Sequence, residues 1–428
     1  MSTALRHSNL LGLQRGAQPD ARHLSHASFT RLTAKPMGIT AKAAAFDHWI
    51  RTRFRDMNTE LEEIYFGQDN RALVQPAGNP IKERLLEEGR RHIVELLNEG
   101  NTDEGFDRGF SLLGDVGLYM GACRRHELTE PSRERRSPLV EASALALQLG
   151  ASLGLAPRFA TSHLATHNFA VEGSYKSFTS LEAEFLFLEY NTRGVLAYKR
   201  AADALVRILP LGVSHPVAWD LLAAAKAALS DVISYNSALF DQLDRDRFFY
   251  CVRPYYKPFR VGLHEYRGAN AGDFAGINEI DLLLGLCSAD NLSYSQLLVD
   301  KFLYMMPEDQ SRLRDVMRRE SLLNNFLKLL EPCGSEKWFQ RNARMFLDVC
   351  DLHGRTAAQH HDQLVSKFIE APARALPEEF LKDITASGPP LEVLLPGLEQ
   401  LRDLRMAADR KDIPSRYADI QRLKARLR

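Results

Sequence analysis

Three stretches of this 428-residue chain bring together side chains that can do chemistry. One is DLHGRTAAQHHDQLVSKFI, which holds His353, His360 and His361. Read as a helix at about 100° per residue, Phe346, Cys350, Ala357, Leu364 and Phe368 fall within roughly 20° of one direction. His361 then lies about 30° from that apolar stripe, His353 about 50° and His360 about 70°. An imidazole on an apolar face has two ring nitrogens to satisfy where water is scarce. Either a neighbouring polar group satisfies them, as in an ordinary core histidine, or one nitrogen binds a metal or haem iron while the other donates to a nearby acceptor.

The second stretch is DRFFYCVRP, residues 246–254. Two adjacent aromatics, Phe248 and Phe249, precede Arg253 by about one turn, and Pro254 stops the helix. That spacing sets a guanidinium beside an aromatic wall, where its planar fork suits a carboxylate; the plain alternative is core aromatics and an ion-paired arginine. The third is the small-residue run Gly268-Ala269-Asn270-Ala271-Gly272. Its backbone can approach a flat ligand closely and its amides can meet an anion, or it simply connects two elements. No phosphate-binding P-loop, nucleophile elbow, paired-cysteine metal site or zincin pattern occurs.

The elements that must position these residues read as helices. Asn79-Pro80 opens a stretch over 81–97 with apolar residues at spacings of three and four, closed by Asn98 and Gly100. Helical patterns continue over 142–153, 181–209 (stopped by Pro210), 218–243, 277–286, 294–305, 310–330, 338–370 and 391–407. Alternating strand-like stretches are almost absent, so the chain is all-α. The irregular runs 253–276 and 385–390 (TASGPP) break the pattern and are expected to be functional. Lys and Arg number 55 against 55 Asp and Glu, which excludes the basic footprint of a non-specific nucleic-acid binder. No uncharged apolar run of about 18 residues exists, so no transmembrane helix is expected. Five irregularly spaced cysteines fit a reducing, cytoplasmic setting. The first 36 residues set Arg6, Arg15, Arg22, Arg31 and Lys35 against Asp20 alone, the composition of a transit peptide. Because no amphipathic Arg face is sustained, residues 1–40 read instead as a disordered leader or as a start upstream of the initiator Met37.

In this order, the motifs resemble the haem-dependent superfamily of indoleamine and tryptophan 2,3-dioxygenases, and most of all its monodechloroaminopyrrolnitrin synthase (PrnB-like) branch. The resemblance runs over roughly residues 114–406. DRFFYCVRP is similar to the segment in which two phenylalanines line the substrate pocket and an arginine binds the amino-acid carboxylate, which implies those roles for Phe248, Phe249 and Arg253. YRGANAGDFAGINEIDLLLGL resembles the loop near a haem propionate, implying Asn270 with Gly268 and Gly272. HHDQLVSKFIEAPA resembles the stretch carrying the proximal histidine, and a gap-free register selects His361. TASGPPLEVLL resembles the mobile loop that closes over substrate, placing Ser387 at its small-residue position. GDVGLYMGACRRH and EGSYKSF resemble segments of the PrnB-like branch. The register sets Phe185 where indoleamine dioxygenases have a distal serine. LAPRFATSHLATHNF matches the first distal helix, bringing Thr161, Leu164 and Ala165 to the pocket, with His163 and His167 as polar substitutes for a distal histidine.

The resemblance implies a smaller N-terminal helical domain over 41–155 and a larger haem-binding domain over 156–428. It implies haem b held by His361, with the sixth iron position open to dioxygen, and Arg253 holding the carboxylate of tryptophan or a ring-substituted (halogenated) tryptophan. Phe248, Phe249 and Phe185 would pack the ring, and the Ser387 loop would exclude water. The outcome would be oxygen insertion or oxidative indole rearrangement in specialised metabolism, with an electron donor or reductase as a further partner. Two competitors remain: a haem monooxygenase or peroxygenase on tyrosine or another amine, for which His163 would be the distal acid/base, and a non-catalytic oxygen carrier or sensor, in which Arg253 has no task.

Overall fold

Helices build nearly the whole chain, as the apolar periodicity predicts. The computed structural model describes residues 40–99, 105–269, 272–371 and 391–427. Helix α1 (Ala41–Trp49) passes through a π turn (Ile50–Phe54) into α2 (Arg55–Phe66), and the Thr40 hydroxyl caps α1 by accepting from Ala43 N at 3.2 Å. There follow α3 (Asn79–Glu99), α4 (Phe106–Arg125), α5 (Val140–Leu153) and the one-turn α6 (Thr161–Leu164). The long α7 (Glu182–Leu211) and α8 (Ala218–Gln242) pack on each other through Ala197, Ala201, Ala204, Ala225 and Ala228, all buried. Helices α9 (Ala275–Leu284), α10 (Leu292–Phe302), α11 (Pro307–Met317), α12 (Leu322–Cys333) and α13 (Lys337–Gln359) come next. The chain then widens into a π-helix (His360–Glu370), and α14 (Leu391–Arg405) and α15 (Tyr417–Ala425) complete it.

Four features depart from the sequence reading. The stretch 310–330 is two helices, because Ser321 caps α12 by accepting from Asn324 N at 3.2 Å. Pro210 does not stop α7 but sits in its last turn, and Gly212, at φ +81°, ends the helix. Part of the irregular run 253–276 is an antiparallel hairpin, β1 (Phe259–Val261) with β2 (His264–Tyr266), turned by Gly262 at φ +60°. Helix α4, which the periodicity did not reveal, is buried from Gly109 almost to its end. Its glycines hide it from propensity while permitting close approach: a Cβ on Gly117 would lie 2.2 Å from Phe159 N, and one on Gly114 2.6 Å from the His163 ring.

Residues from Ile39 onward form a single compact unit that contains two apolar cores. One gathers α1 to α5, the β-hairpin, Phe248 and Phe368. The other gathers the inner faces of α7 to α13 and the C-terminal helices. Residues 1–39, all of the candidate leader but Thr40, lie outside the described residues.

Candidate active site

Two consecutive irregular turns place the DRFFYCVRP residues. Asp244 accepts from Arg247 N at 2.8 Å and starts a short turn that opens into a π turn over Phe248–Val252. Arg125, held by Glu62 in two 2.8 Å bonds, donates to Tyr250 O at 3.0 Å and so fixes the widened turn from inside. Pro254 has no N–H to continue the ladder, and the chain tightens into a 3₁₀ turn, Arg253–Tyr256. Phe248 and Phe249 are buried as expected. The Phe248 ring lies 5.0 Å from Phe187 and stands edge-on to Phe368 at 6.1 Å, which joins this wall to the histidine-bearing π-helix.

Arg253 is 6% exposed, with its guanidinium 5.8 Å from the Phe249 ring. Its Nη1 meets no hydrogen-bond partner, and among the described residues no carboxylate pairs with it. Burial alone acts on its pKa and pulls it down to about 10, so the group stays charged at neutral pH. Among the described residues, then, the ion pair of the plain alternative is not formed. A second buried polar atom on the same turn, the Tyr256 hydroxyl, also lacks a partner.

The small-residue loop is pinned at both ends. Gly268 packs on the Tyr256 carbonyl, where a Cβ would fall 1.6 Å from the oxygen. At the far end Asp273 pairs with Arg158 at 3.1 Å and Arg267 at 2.7 Å, and both guanidiniums lie over the Tyr304 ring, at 4.0 and 4.2 Å. Lys301 donates to Gly272 O at 3.0 Å and contacts Asn278 Oδ1 at 3.4 Å. Burial lowers that ammonium to about 8. Asn270 lies outside the described residues, as does Ser387.

The three histidines separate cleanly. His353 is the core histidine of the plain alternative: its Nε2 bonds Asp281 Oδ1 at 2.7 Å in a buried cluster that Tyr294 and Arg405 complete. His361 is half-buried, with Nδ1 3.1 Å from Asp362 Oδ1 and 3.4 Å from Arg402 Nη1, and no described residue bonds its Nε2. The shorter contact favours a proton on Nδ1 donated to Asp362, which leaves the Nε2 lone pair open. His360 has accessible area, yet desolvation, with the Arg405 charge, lowers its imidazole to about 4. The helical wheel at 100° per residue does not hold over this segment, because hydrogen bonding from i to i+5 in a π-helix changes the angular step.

The distal residues are only partly as expected. Leu164 is buried, while Thr161 on α6 and Phe185 in the first turn of α7 are half-buried. His163, the candidate distal acid/base, is hydrogen-bonded through both ring nitrogens. Its Nδ1 accepts from Ala160 N at 2.7 Å, its Nε2 donates to Phe110 O at 2.8 Å, and its ring stacks 3.8 Å from Phe110. Both nitrogens are spent on structure. His167 is likewise engaged with the Thr166 hydroxyl at 2.9 Å. Sequence reasoning missed Tyr256, Lys301, Asp281 and Arg405. Tyr256 had a signal, since it lies one 3₁₀ turn past Arg253 and Pro254, but the other three are joined only through space.

The all-α fold, with its histidine-bearing helix against an aromatic wall, agrees with the indoleamine dioxygenase-like class of helical enzymes. The family model of the monodechloroaminopyrrolnitrin synthase PrnB matches residues 40–427, and the chain belongs to that family. It is therefore an enzyme, a haem-dependent oxygenase of antibiotic biosynthesis that acts on a tryptophan-derived small molecule. Among the described residues no helix is long and apolar enough to cross a membrane. The donor chemistry fits haem: an open imidazole nitrogen, a carboxylate on the other ring nitrogen as metal-bound histidines have, and buried unpaired polar groups beside an aromatic wall.

Proposed function

We propose that the chain binds haem b through His361 and holds tryptophan or a ring-halogenated tryptophan by its carboxylate on Arg253. The observation that supports this most is Arg253 itself, a buried cation with no carboxylate partner among the described residues. Leaving a charge unpaired in an apolar setting is costly, and an incoming carboxylate relieves the cost with a bidentate, charge-assisted pair. Phe248 and Phe249 pack the aromatic ring, and Phe185, Thr161 and Leu164 line the distal side. By the resemblance, Gly268, Asn270 and Gly272 would serve a haem propionate, and Ser387 the exclusion of water from the substrate. When bound, the haem iron supplies dioxygen chemistry, whose outcome is oxygen insertion or oxidative indole rearrangement. An electron donor completes the cycle where the outcome requires one. The division into domains at 41–155 and 156–428 belongs to the same proposal. With both nitrogens of His163 engaged, the monooxygenase alternative has lost the acid/base it relied on.

The test is absorbance of the purified holoprotein. His361→Ala should abolish the Soret band and His360→Ala should leave it nearly intact; the reverse pattern overturns the ligand assignment. Titrating the ferrous protein with tryptophan and tyrosine analogues then reads the substrate class. A carrier or sensor would show no substrate-dependent shift.

A further inference from the structure

The 3₁₀ turn Arg253–Tyr256 carries two buried polar groups without partners. Tyr256 is 8% exposed and its hydroxyl bonds nothing. Residues i and i+3 of a 3₁₀ helix eclipse, about 6 Å apart along the axis at roughly 2 Å rise per residue. Ideal 3₁₀ geometry thus sets Arg253 and Tyr256 on the same side of the turn. The phenol ring is held edge-on by Phe159 and Phe178 at 6.0 Å and by Phe187 at 5.8 Å, so its position is set by packing. Phe187 in turn touches Phe248 of the aromatic wall. The Tyr256 main chain supports Gly268, so the residue joins the wall to the small-residue loop. Glu184, whose charge acts on Tyr256, is already committed: its oxygens accept from Phe178 N at 2.7 Å and from Thr179 N and Thr179 Oγ1, both at 2.6 Å.

A buried hydroxyl with no partner, rigidly held, costs stability unless something else satisfies it. We infer that Tyr256 is a second substrate-binding residue, whose hydroxyl donates to the same carboxylate that Arg253 holds. This rests on the reading of Arg253 given above. Burial raises the phenol well above its ordinary range, so it remains a donor at any working pH, matched to a charged acceptor. The two groups together select an α-carboxylate over a decarboxylated amine, since an amine would leave both unpaired.

The test compares Tyr256→Phe and Arg253→Ala in equilibrium titrations of the haem-loaded protein with tryptophan, tryptamine and indole-3-propionate, followed by the Soret shift and by heat. Tyr256→Phe should weaken tryptophan and indole-3-propionate roughly ten- to hundredfold, the range of a hydrogen bond to a charged group. Tryptamine affinity and haem absorbance should not change. The free variant should melt no lower than the parent, because the lost hydroxyl bonded nothing. If Arg253→Ala weakens tryptophan and Tyr256→Phe does not, the inference about Tyr256 fails alone. If neither does, the carboxylate site fails with it. An equal loss for tryptamine would turn the hydroxyl toward another part of the substrate, and a lower melting point would reveal a structural partner; either result overturns the inference.

Discussion

Two arginines in this molecule, one buried and one largely so, live under opposite conditions. Arg405 meets Asp281 through Nε and Nη2, both at 2.9 Å, while Tyr294 at 2.7 Å and His353 at 2.7 Å fill the rest of that carboxylate. Burial raises Asp281, but the Arg405 charge and the His353 bond outweigh it and hold the carboxyl well below its usual range. Only His353 Nδ1 lacks a partner there. Among the described residues, no carboxylate pairs with Arg253 in this way. The first cluster ties together α9, α10, α13 and α14, and its charges are paired within it. The second, on the proposal above, is completed by the substrate carboxylate. Buried charge that is paired internally holds a fold together, whereas a buried cation with no counter-charge is a candidate site for an anionic ligand.

The contrast predicts opposite stability changes. Asp281→Asn leaves Arg405 buried without a counter-charge and should destabilise the protein by about 3–5 kcal/mol, read as a lower urea midpoint at unchanged slope. A loss near zero would mean that the cluster is wet and the comparison false. Arg253→Met removes a charge that the free protein does not pair. Its urea midpoint should stay level or rise, while tryptophan binding weakens by about 1.5–3 kcal/mol and haem is retained. Destabilisation on the scale of Asp281→Asn would show that Arg253 belongs to the fold instead of to the substrate.

How much of this was legible in the sequence depends on how far apart the partners lie. The pair α7 and α8 follows from apolar spacing, and the FFYCVR run by itself sets Arg253 beside the Phe249 ring. Helix α4 did not follow, since four glycines argue against a helix by propensity, and their value appears only where Phe159 and His163 press on them. The Asp281 cluster was illegible: residues 281, 294, 353 and 405 sit on four helices, and nothing local marks any of them. The 100° wheel ranked His361 nearer the stripe than His353, yet His353 is the more buried of the two, because the π-helix changes the angular step from His360 on.

The smallest expected effect concerns His163, a satisfied group that the family resemblance put near the distal pocket. Desolvation first, and the Lys176 charge second, lower its folded pKa from 6.5 to about 3. The native ring therefore refuses a proton that the unfolded chain accepts below about pH 6.5. Its share of stability is fully present above that value and is lost as pH falls toward 3. One proton is worth about 1.4 kcal/mol per pH unit, hence about 2 kcal/mol at pH 5. His163→Gln cannot titrate, so the fall in stability between pH 7 and pH 5 should shrink by about that amount, measured by urea unfolding at each pH. Tryptophan affinity at pH 7 should not change. Should the variant keep the parent's stability slope and instead lose one limb of the pH–rate profile, His163 would be an acid/base after all, and a satisfied hydrogen-bond pair would no longer mark a structural residue in this protein.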